Sequence, residues 1–208
     1  TTNASNIGDL TVLRFTTVGN TSETHGYNVG GHAYPSDTPT DYNIIEKFPY
    51  ATDSDATDVG DTVVTTNFRK GASSNSETHG YLANANTIAG YYNQIQKYSF
   101  TTDGNTVDVA DVIRAGRCSA QNLQSSTYGY VTCWESFSPA DTANENRIEK
   151  FSFAAGTNST DVGNLTRDGN WSTSVSQNTY GYTMGGNTPT RNNVIDRFSF
   201  TSDGNASD

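Results

Sequence analysis

One sequence motif occurs four times in this chain of 208 residues and constrains its fold more than any other feature. SETHGY begins at Ser22 and again at Ser76, while STYGY begins at Ser126 and NTYGY at Asn178. The shared element is Thr-[His/Tyr]-Gly-Tyr. A fixed period of about 20–50 residues marks an array of similar structural units, so the motif predicts a repeat protein.

Two further patterns recur in the same order. The first reads NIIEKFPY, NQIQKYSF, NRIEKFSF and NVIDRFSF, and the second reads NIGDL, DVGDT, DVADV and DVGNL. The chain is therefore a single domain, residues 1–208, built as a fourfold array with a period of about 50 residues. We divide it into unit one (11–61), unit two (62–111), unit three (112–164) and unit four (165–208).

Each recurring segment has the pattern of a short strand. In NRIEKFSF the side chains of Ile148, Lys150 and Ser152 alternate with those of Glu149, Phe151 and Phe153. This period of two is typical of a half-buried strand. The segments that follow, such as TDGNTV and SDGNAS, are turn sequences, because Gly and Asn tolerate the positive φ of tight turns. Each unit has about four such strands, and no segment has helical periodicity.

Four short antiparallel strands at this period are typical of a propeller blade. The sequence therefore predicts an all-β fold, a four-bladed β-propeller-like domain. Unit four has only three strands of its own, so residues 1–10 are predicted to be a spare strand that pairs into the last blade and closes the ring. Pairing of this strand with another copy, or continuation of the array beyond Asp208, are the alternatives.

The repeat unit also resembles a kelch-type repeat. The residues that carry the resemblance are the glycine doublets Gly30-Gly31 and Gly185-Gly186 and the third-strand aromatics Phe48, Tyr98, Phe151 and Phe198. The segments NVIDRFSF and SDGNASD are similar in sequence to tandem repeats in predicted tail-fibre and virion structural proteins of aquatic tailed phages. These resemblances imply a propeller fold and a binding or structural role outside a cell or on a virion surface.

The charge balance narrows the class of partner. The net charge is −10 and no cluster of four or more Lys and Arg residues occurs, which argues against nucleic acid and anionic membrane surfaces. No run of about 18 apolar residues is present, so membrane insertion is not predicted. The acidic, Thr-, Ser- and Asn-rich composition favours an extracellular or virion-surface location.

The repeated histidine does not have the pattern of a catalytic or metal-binding group. His25 and His79 occupy a position that units three and four fill with Tyr128 and Tyr180. Tyrosine replaces histidine where a flat ring with a polar end is needed, so we interpret this position as structural, with stacking on a sugar or peptide as the alternative. No hydrolase, zinc-protease or phosphate-loop motif is present, and the sequence predicts a non-enzymatic protein.

Acidic residues cluster after the third strand of unit one. Asp53, Asp55, Asp58 and Asp61 lie close together, and similar residues recur in the other units. Clustered carboxylates can bind calcium, but Asp and Asn also recur at turns because their side chains hydrogen-bond the local backbone. We predict turn chemistry and no cofactor, with calcium as the alternative.

The segments that differ between units suggest where a ligand binds. HAYPSDTPTDY, NTIAGYY, WESFSPADTANE and NTPTRN lie at the same place in the four units. Their aromatic residues are the predicted ligand-binding residues: Tyr34, Tyr42, Tyr91, Tyr92, Trp134 and Phe137. Exposed aromatics stack on sugars and anchor protein interfaces, so we expect a cell-surface glycan or receptor as partner. The alternatives are that these rings cover blade edges, and that the chain is a structural segment of a fibre built from its own copies.

The two cysteines of the chain both lie in unit three. Cys118 and Cys133 fall on predicted neighbouring antiparallel strands. A disulfide between them would close a loop of about 15 residues and stabilise the fold by ~3 kcal/mol. The sequence predicts this disulfide, with two free thiols as the alternative.

Overall fold

The structure is a computed structural model that describes residues 3–33, 40–63, 71–87, 90–118, 121–135, 145–168, 171–187 and 190–208. Antiparallel strands make up its regular structure, and these ranges contain no helix. The all-β prediction is confirmed. Each unit forms one main sheet, and unit one has a small two-stranded sheet in addition.

Units one and two each form a four-stranded sheet. Unit one contains β1 (Val18–Thr21), β2 (His25–Val29), β3 (His32–Ala33), β4 (Thr40–Asp41), β5 (Ile44–Pro49) and β6 (Thr57–Asp61). Its sheet has the order β1-β2-β5-β6, and β3 and β4 form a separate small hairpin. Unit two contains β7 (Ala72–Asn75), β8 (His79–Thr87), β9 (Gly90–Ser99) and β10 (Val107–Asp111), in the order β10-β9-β8-β7.

Units three and four repeat this arrangement. Unit three contains β11 (Arg117–Cys118), β12 (Tyr128–Glu135), β13 (Glu145–Ser152) and β14 (Thr160–Asn164), in that order. Unit four contains β15 (Thr173–Ser176), β16 (Tyr180–Met184) and β17 (Ile195–Ser199), which form a three-stranded sheet. We number the strands of each main sheet first to fourth in chain order, so that β2, β8, β12 and β16 are the second strands.

The Gly-Tyr pair at the start of each second strand explains why the motif repeats. A Cβ added to Gly26 would come within 2.3 Å of the Phe48 ring, which belongs to the third strand of the same unit. The glycine therefore makes room for this ring. The following residue, Tyr27, points to the other face and stacks on Phe100 of unit two, with 4.8 Å between ring centroids.

The same stacking joins each pair of successive units. Tyr81 of unit two stacks on Phe153 of unit three at 4.5 Å, and Tyr130 of unit three stacks on Phe200 of unit four at 4.6 Å. Burial raises the pKa of Tyr130 to about 12, because the ionised phenol would lose its hydration in this interface. Successive sheets therefore pack face to face through aromatic side chains.

Face-to-face packing changes the prediction of a half-buried third strand. Ile148 and Glu149 point to opposite faces of β13, yet each has a relative exposure of 0%. Unit three lies between units two and four, so both faces of its sheet are covered. The alternation predicted the strand correctly, but the assumption that one face meets solvent is wrong for this unit.

The N-terminal segment lies on unit one. The Ala56 amide donates to the Asp9 carbonyl at 2.9 Å, and the Asp9 amide donates to Asp55 Oδ1 at 3.0 Å. The same two bonds join units one and two. The Thr106 amide donates to the Asp61 carbonyl, and the Asp61 amide donates to Asn105 Oδ1. Residues 8–10 therefore contact unit one in the same way as the end of β6 contacts unit two.

This placement corrects the prediction that residues 1–10 belong to the sheet of unit four. The fourth place of that sheet is taken by Ser207, which exchanges two backbone hydrogen bonds with Arg197. The three strands of the unit-four sheet do not include residues 3–10. The segment makes only the contacts of a fourth strand with the unit that follows it, since Gly8 approaches the Ser54 carbonyl as Gly60 approaches the Gly104 carbonyl.

Candidate functional site

The connections between second and third strands leave the four sheets at equivalent positions. They follow β2, β8, β12 and β16 and precede β5, β9, β13 and β17. We call the sheet edge where these connections start and end the loop edge. The repeated strand pairing fixes this edge, while the connections differ in length and sequence.

In unit one the connection is held by a buried polar pair. His32 Nδ1 lies 2.8 Å from Asp41 Oδ1, and the two side chains have exposures of 2% and 6%. The Phe15 ring packs edge-on against the His32 ring, with 5.6 Å between centroids. The backbones of these two residues also exchange hydrogen bonds. The residues on either side of the connection are therefore joined by a buried polar contact.

The predicted aromatic residues lie in several structural environments. Tyr42 is half-buried just before β5, and its amide donates to the Gly31 carbonyl at 2.9 Å. Tyr91 and Tyr92 lie at the start of β9, where Tyr92 packs against the core between units one and two. The Tyr92 ring therefore contributes to packing, as the edge-covering alternative expects. These tyrosines come from different units but lie at the same edge.

The remaining predicted aromatic residues are only partly covered by the structure. Trp134 lies in β12, where its backbone pairs with Cys118 on one side and Glu145 on the other. Its side chain lies outside the part of the chain that the structure describes, as do Tyr34 and Phe137 altogether. Their assignment to a ligand site stays a prediction.

A surface cavity of about 390 Å³ lies at the loop edge of unit four. Its lining consists of Trp171, Gly186, Asn187 and Arg191. Trp171 precedes the first strand of the unit and is 62% exposed. Asn187 and Arg191 form a bridge at the base of the connection to the third strand. An exposed indole beside amide and guanidinium donors can stack on a sugar ring and hydrogen-bond its hydroxyl groups.

The sequence interpretation missed Trp171 because this residue lies outside the variable connections. Its backbone has a φ of 60°, which is uncommon for a residue with a side chain. Thr16, which lies as far before Tyr27 as Trp171 lies before Tyr182, has a φ of 58°. Units one and four therefore share the left-handed conformation at this place, and in unit four it presents a large aromatic ring. The tryptophan at this repeat position was the available sequence signal.

The repeated histidine position lies at the opposite edge of the sheets. The rings of His25 and His79 each hydrogen-bond the preceding threonine hydroxyl through Nδ1 at 2.8 Å. Each ring packs at a tilt against the tyrosine of its own Gly-Tyr pair, with 6.5 and 6.4 Å between centroids. In unit four, Arg197 lies over the ring of Tyr180 instead. The position holds a packed ring in either case.

The aspartates after the third strands hydrogen-bond the backbone. Asp58 Oδ1 accepts from the Gly60 amide at 3.1 Å, and Asp161 Oδ1 accepts from the Gly163 amide at 3.1 Å. Asp55 accepts from the Asp9 amide across a unit boundary. No group of three or more His, Cys, Asp or Glu side chains that could hold a metal ion occurs among the described residues. These carboxylates serve turns and unit boundaries.

The sequence interpretation also did not single out a buried polar side chain that recurs on the third strand. Glu46, Gln96, Glu149 and Asp196 are 0–1% exposed. Each accepts a hydrogen bond from the backbone amide that follows the fourth strand of the preceding unit, or its N-terminal equivalent: Thr11, Val63, Ile113 and Thr166. The signal was the Glu, Gln or Asp that follows the isoleucine in every third strand.

The two cysteines lie on paired strands. Cys118 in β11 pairs with Trp134, the chain neighbour of Cys133 in β12. Cys118 is buried, and its Sγ lies 3.8 Å from the Ala83 carbonyl of unit two. The Cys133 side chain is outside the described residues, so the disulfide stays a prediction.

Comparison with known proteins adds no assignment to this geometry. A scan against protein-family models and a search among curated proteins found no match for this chain. Within the described ranges, no helix has the length and hydropathy needed to cross a membrane.

Proposed function

We propose that this protein is a non-enzymatic binding module that recognises a cell-surface glycan or receptor through its loop edge. The observation that carries the proposal is the contrast between a repeated scaffold and four dissimilar connections at one edge. Binding residues are commonly placed on variable connections that a rigid scaffold holds in position. A location outside a cell or on a virion surface accords with this role.

The cavity beside Trp171 is the best-described part of the proposed ligand site. A ligand bound there would contact an exposed indole ring and the polar side chains of Asn187 and Arg191. Aromatic rings supply contact area at low entropic cost, and the polar groups would orient a sugar by its hydroxyl groups. We therefore favour a glycan as the ligand.

We further infer that the four sheets are blades of a kelch-like, propeller-like array. In a propeller the first strands lie innermost, next to one another. In support, Asn20 in β1 donates to the Ser74 carbonyl in β7, and Ser74 donates to the Leu123 carbonyl of unit three. Between units three and four the direction is reversed, and Ser176 in β15 donates to the Asn122 carbonyl. In such an array the loop edges would form one shared surface.

A glycan array tests the proposed function. The wild-type protein should bind a defined set of glycans, and Trp171→Ala should weaken that binding by about 1–3 kcal/mol because the stacking surface is lost. Trp171→Phe should retain part of the affinity. Tyr128→Ala, which removes a partly exposed ring at the opposite edge, is the matched control and should bind as wild type. Equal binding by Trp171→Ala and wild type would contradict the assignment of this cavity.

A second candidate function is a structural segment of a fibre made of copies of this chain. The observation that favours it is the exposure of Val175 and Ile195 on the outer face of unit four, at 49% and 54%. Equivalent residues in the other units are buried between sheets.

A further inference from the structure

The outer face of unit four is exposed, although the equivalent face of every other unit is buried against the next unit. We call Val175, Tyr182 and Ile195 the unit-four end face. Val175 is 49% exposed, whereas its equivalent in unit three, Leu123, has an exposure of 0%. Ile195 is 54% exposed, and its counterparts Ile45, Ile95 and Ile148 are all at 0%. Tyr182 is half-buried, while the equivalent tyrosines of the other units are fully buried.

The repeat itself shows what kind of surface fits this face. In units one to three the equivalent face packs against the aromatic pair of the unit that follows. Tyr130, for example, lies 5.5 Å from the Phe198 ring and 4.6 Å from the Phe200 ring. A surface that fits the unit-four end face must therefore present two aromatic rings in the same arrangement.

Unit one presents such a pair. Phe48 and Tyr50 lie with 6.1 Å between ring centroids and an interplanar angle of 77°. The pair Phe198 and Phe200, which receives Tyr130, has values of 5.6 Å and 80°. Tyr50 is 52% exposed. We call Phe48, Tyr50 and Asp53 the unit-one end face, and its rings already have the receiving geometry.

The charges of the two end faces are also complementary. Lys47 of unit one lies 2.6 Å from Asp103 of unit two, and Lys150 of unit three lies 2.7 Å from Asp203 of unit four. The residue of unit four at the lysine position is Arg197, and the residue of unit one at the aspartate position is Asp53. Docking of the two end faces would bring these opposite charges together.

We propose that the unit-four end face binds the unit-one end face of a second copy of this chain, head to tail. Residues 7–10 of the docked copy would then lie beside the third strand of unit four, where Ser207 alone bridges Arg197 in the described residues. They would extend the fourth strand of that sheet and cover its edge. This inference goes beyond glycan binding and rests on the second candidate function, the fibre.

The overlap of the two chains sets one steric condition. By sequence alignment, residues 3–6 of the docked copy (NASN) coincide with residues 205–208 of the receiving copy (NASD). Both segments cannot occupy the same place, so residues 3–6 must move aside. These residues are exposed and form no strand in the structure. Their displacement therefore breaks no sheet.

Sedimentation velocity over a range of protein concentrations tests the proposal. The wild-type mass should rise above the 22.4 kDa of one chain as concentration increases. Val175→Arg blocks the unit-four end face and Tyr50→Arg blocks the unit-one end face, so each variant alone should remain a single chain. A mixture of both should form a dimer and no larger species, because each variant retains one intact end face. Thermal melting verifies that the variants are folded.

Two further measurements sharpen the test. Arg197→Asp and Asp53→Lys should each weaken association about threefold, and combining both changes in one chain should restore it. Glycan binding by Val175→Arg should equal that of wild type, which separates failure of docking from failure of the proposed function. A wild-type mass that stays at one chain at every concentration would overturn the proposal. Docking of unit four on unit one of the same chain would give this result. A mixture that forms no dimer would overturn it as well.

Discussion

The role of each residue in Thr-[His/Tyr]-Gly-Tyr follows from the side chain it meets. The glycine lies under the aromatic ring of its own third strand, as Gly80 lies under Tyr98. The tyrosine covers the next unit. In units one and two the histidine before the glycine packs its ring against that tyrosine, whereas in units three and four Lys150 and Arg197 lie over the rings of Tyr128 and Tyr180. The position therefore keeps a packed ring when the residue type changes between units.

Replacing His79 with Tyr should reduce the loss of stability at mildly acidic pH. Burial, and next the charge of Lys97, lower the pKa of His79 below its usual range near 6.5. The folded state then binds a proton less tightly than the unfolded chain does. The stability from this group is present above the unfolded pKa and is lost as pH falls through the folded pKa. Tyrosine does not titrate there, so His79→Tyr should flatten this dependence.

Urea denaturation at several pH values between about 7.5 and 5 measures this effect. Lys97→Gln is the control, because it removes the second cause of the shift and should flatten the dependence in part. Equal slopes of unfolding free energy against pH in wild type and His79→Tyr would show that this histidine does not contribute.

The third strand of unit three connects this unit to both neighbours, and its Lys150 lies 2.7 Å from Asp203 of the unit that follows. Its aromatic end contacts the preceding unit, as Phe151 contacts Tyr81. Its buried acid or amide binds the backbone where the chain crosses from the preceding unit. Glu149 accepts from the Ile113 amide at 3.0 Å and from the Ser159 hydroxyl. Arg147 Nε lies 3.2 Å from the same carboxylate. This strand is therefore covered on both faces and also satisfies backbone donors.

Glu149→Ala should destabilise the protein by about 3–5 kcal/mol, because it leaves buried donors and a cation without their acceptor. Glu149→Gln should cost less, about 1–2 kcal/mol, since Gln96 performs the same role in unit two. Chemical denaturation measures both values. Glu77→Ala, at an exposed position, is the control and should change stability by no more than about 0.5 kcal/mol. An equal cost for Ala and Gln would contradict the hydrogen-bonding role.

Similar interfaces between successive units stabilise the whole array. One core cluster joins units one and two, and another runs through units two, three and four. The hydrogen bond between the buried Glu, Gln or Asp of the third strand and the backbone amide after the preceding fourth strand also repeats. The N-terminal segment makes the same bond with unit one through the Thr11 amide. The cost of a substitution should therefore depend on whether another unit covers the residue.

Tyr81→Ala and Tyr182→Ala compare the same repeat position inside the array and at its end. Tyr81 is 3% exposed and stacks on Phe153, and its hydroxyl donates a hydrogen bond to the Phe153 carbonyl. Its loss should cost about 3–5 kcal/mol. Tyr182 is half-buried, so its loss should cost less than about 2 kcal/mol. Denaturation at low protein concentration, where copies are dissociated, gives both values. Similar costs would show that unit four is covered in solution.

The amino-acid sequence by itself determined the strand content and the order of elements in this protein. The alternation around Ile148, the Gly- and Asn-rich turns and the fourfold recurrence depend on local geometry, which neighbouring residues fix. The turn role of Asp58 followed for the same reason, because its hydrogen bond reaches only the next-but-one amide.

Only the tertiary structure decided which faces are covered and where the N-terminal segment lies. Burial of Glu149, exposure of Val175 and the cavity at Trp171 depend on whether another unit packs against the sheet, and a repeat sequence is nearly the same in either case. The N-terminal segment shows the same limit. Its sequence is that of a fourth strand, and only the structure shows that it hydrogen-bonds Asp55 and Ala56 of unit one without pairing in the unit-four sheet.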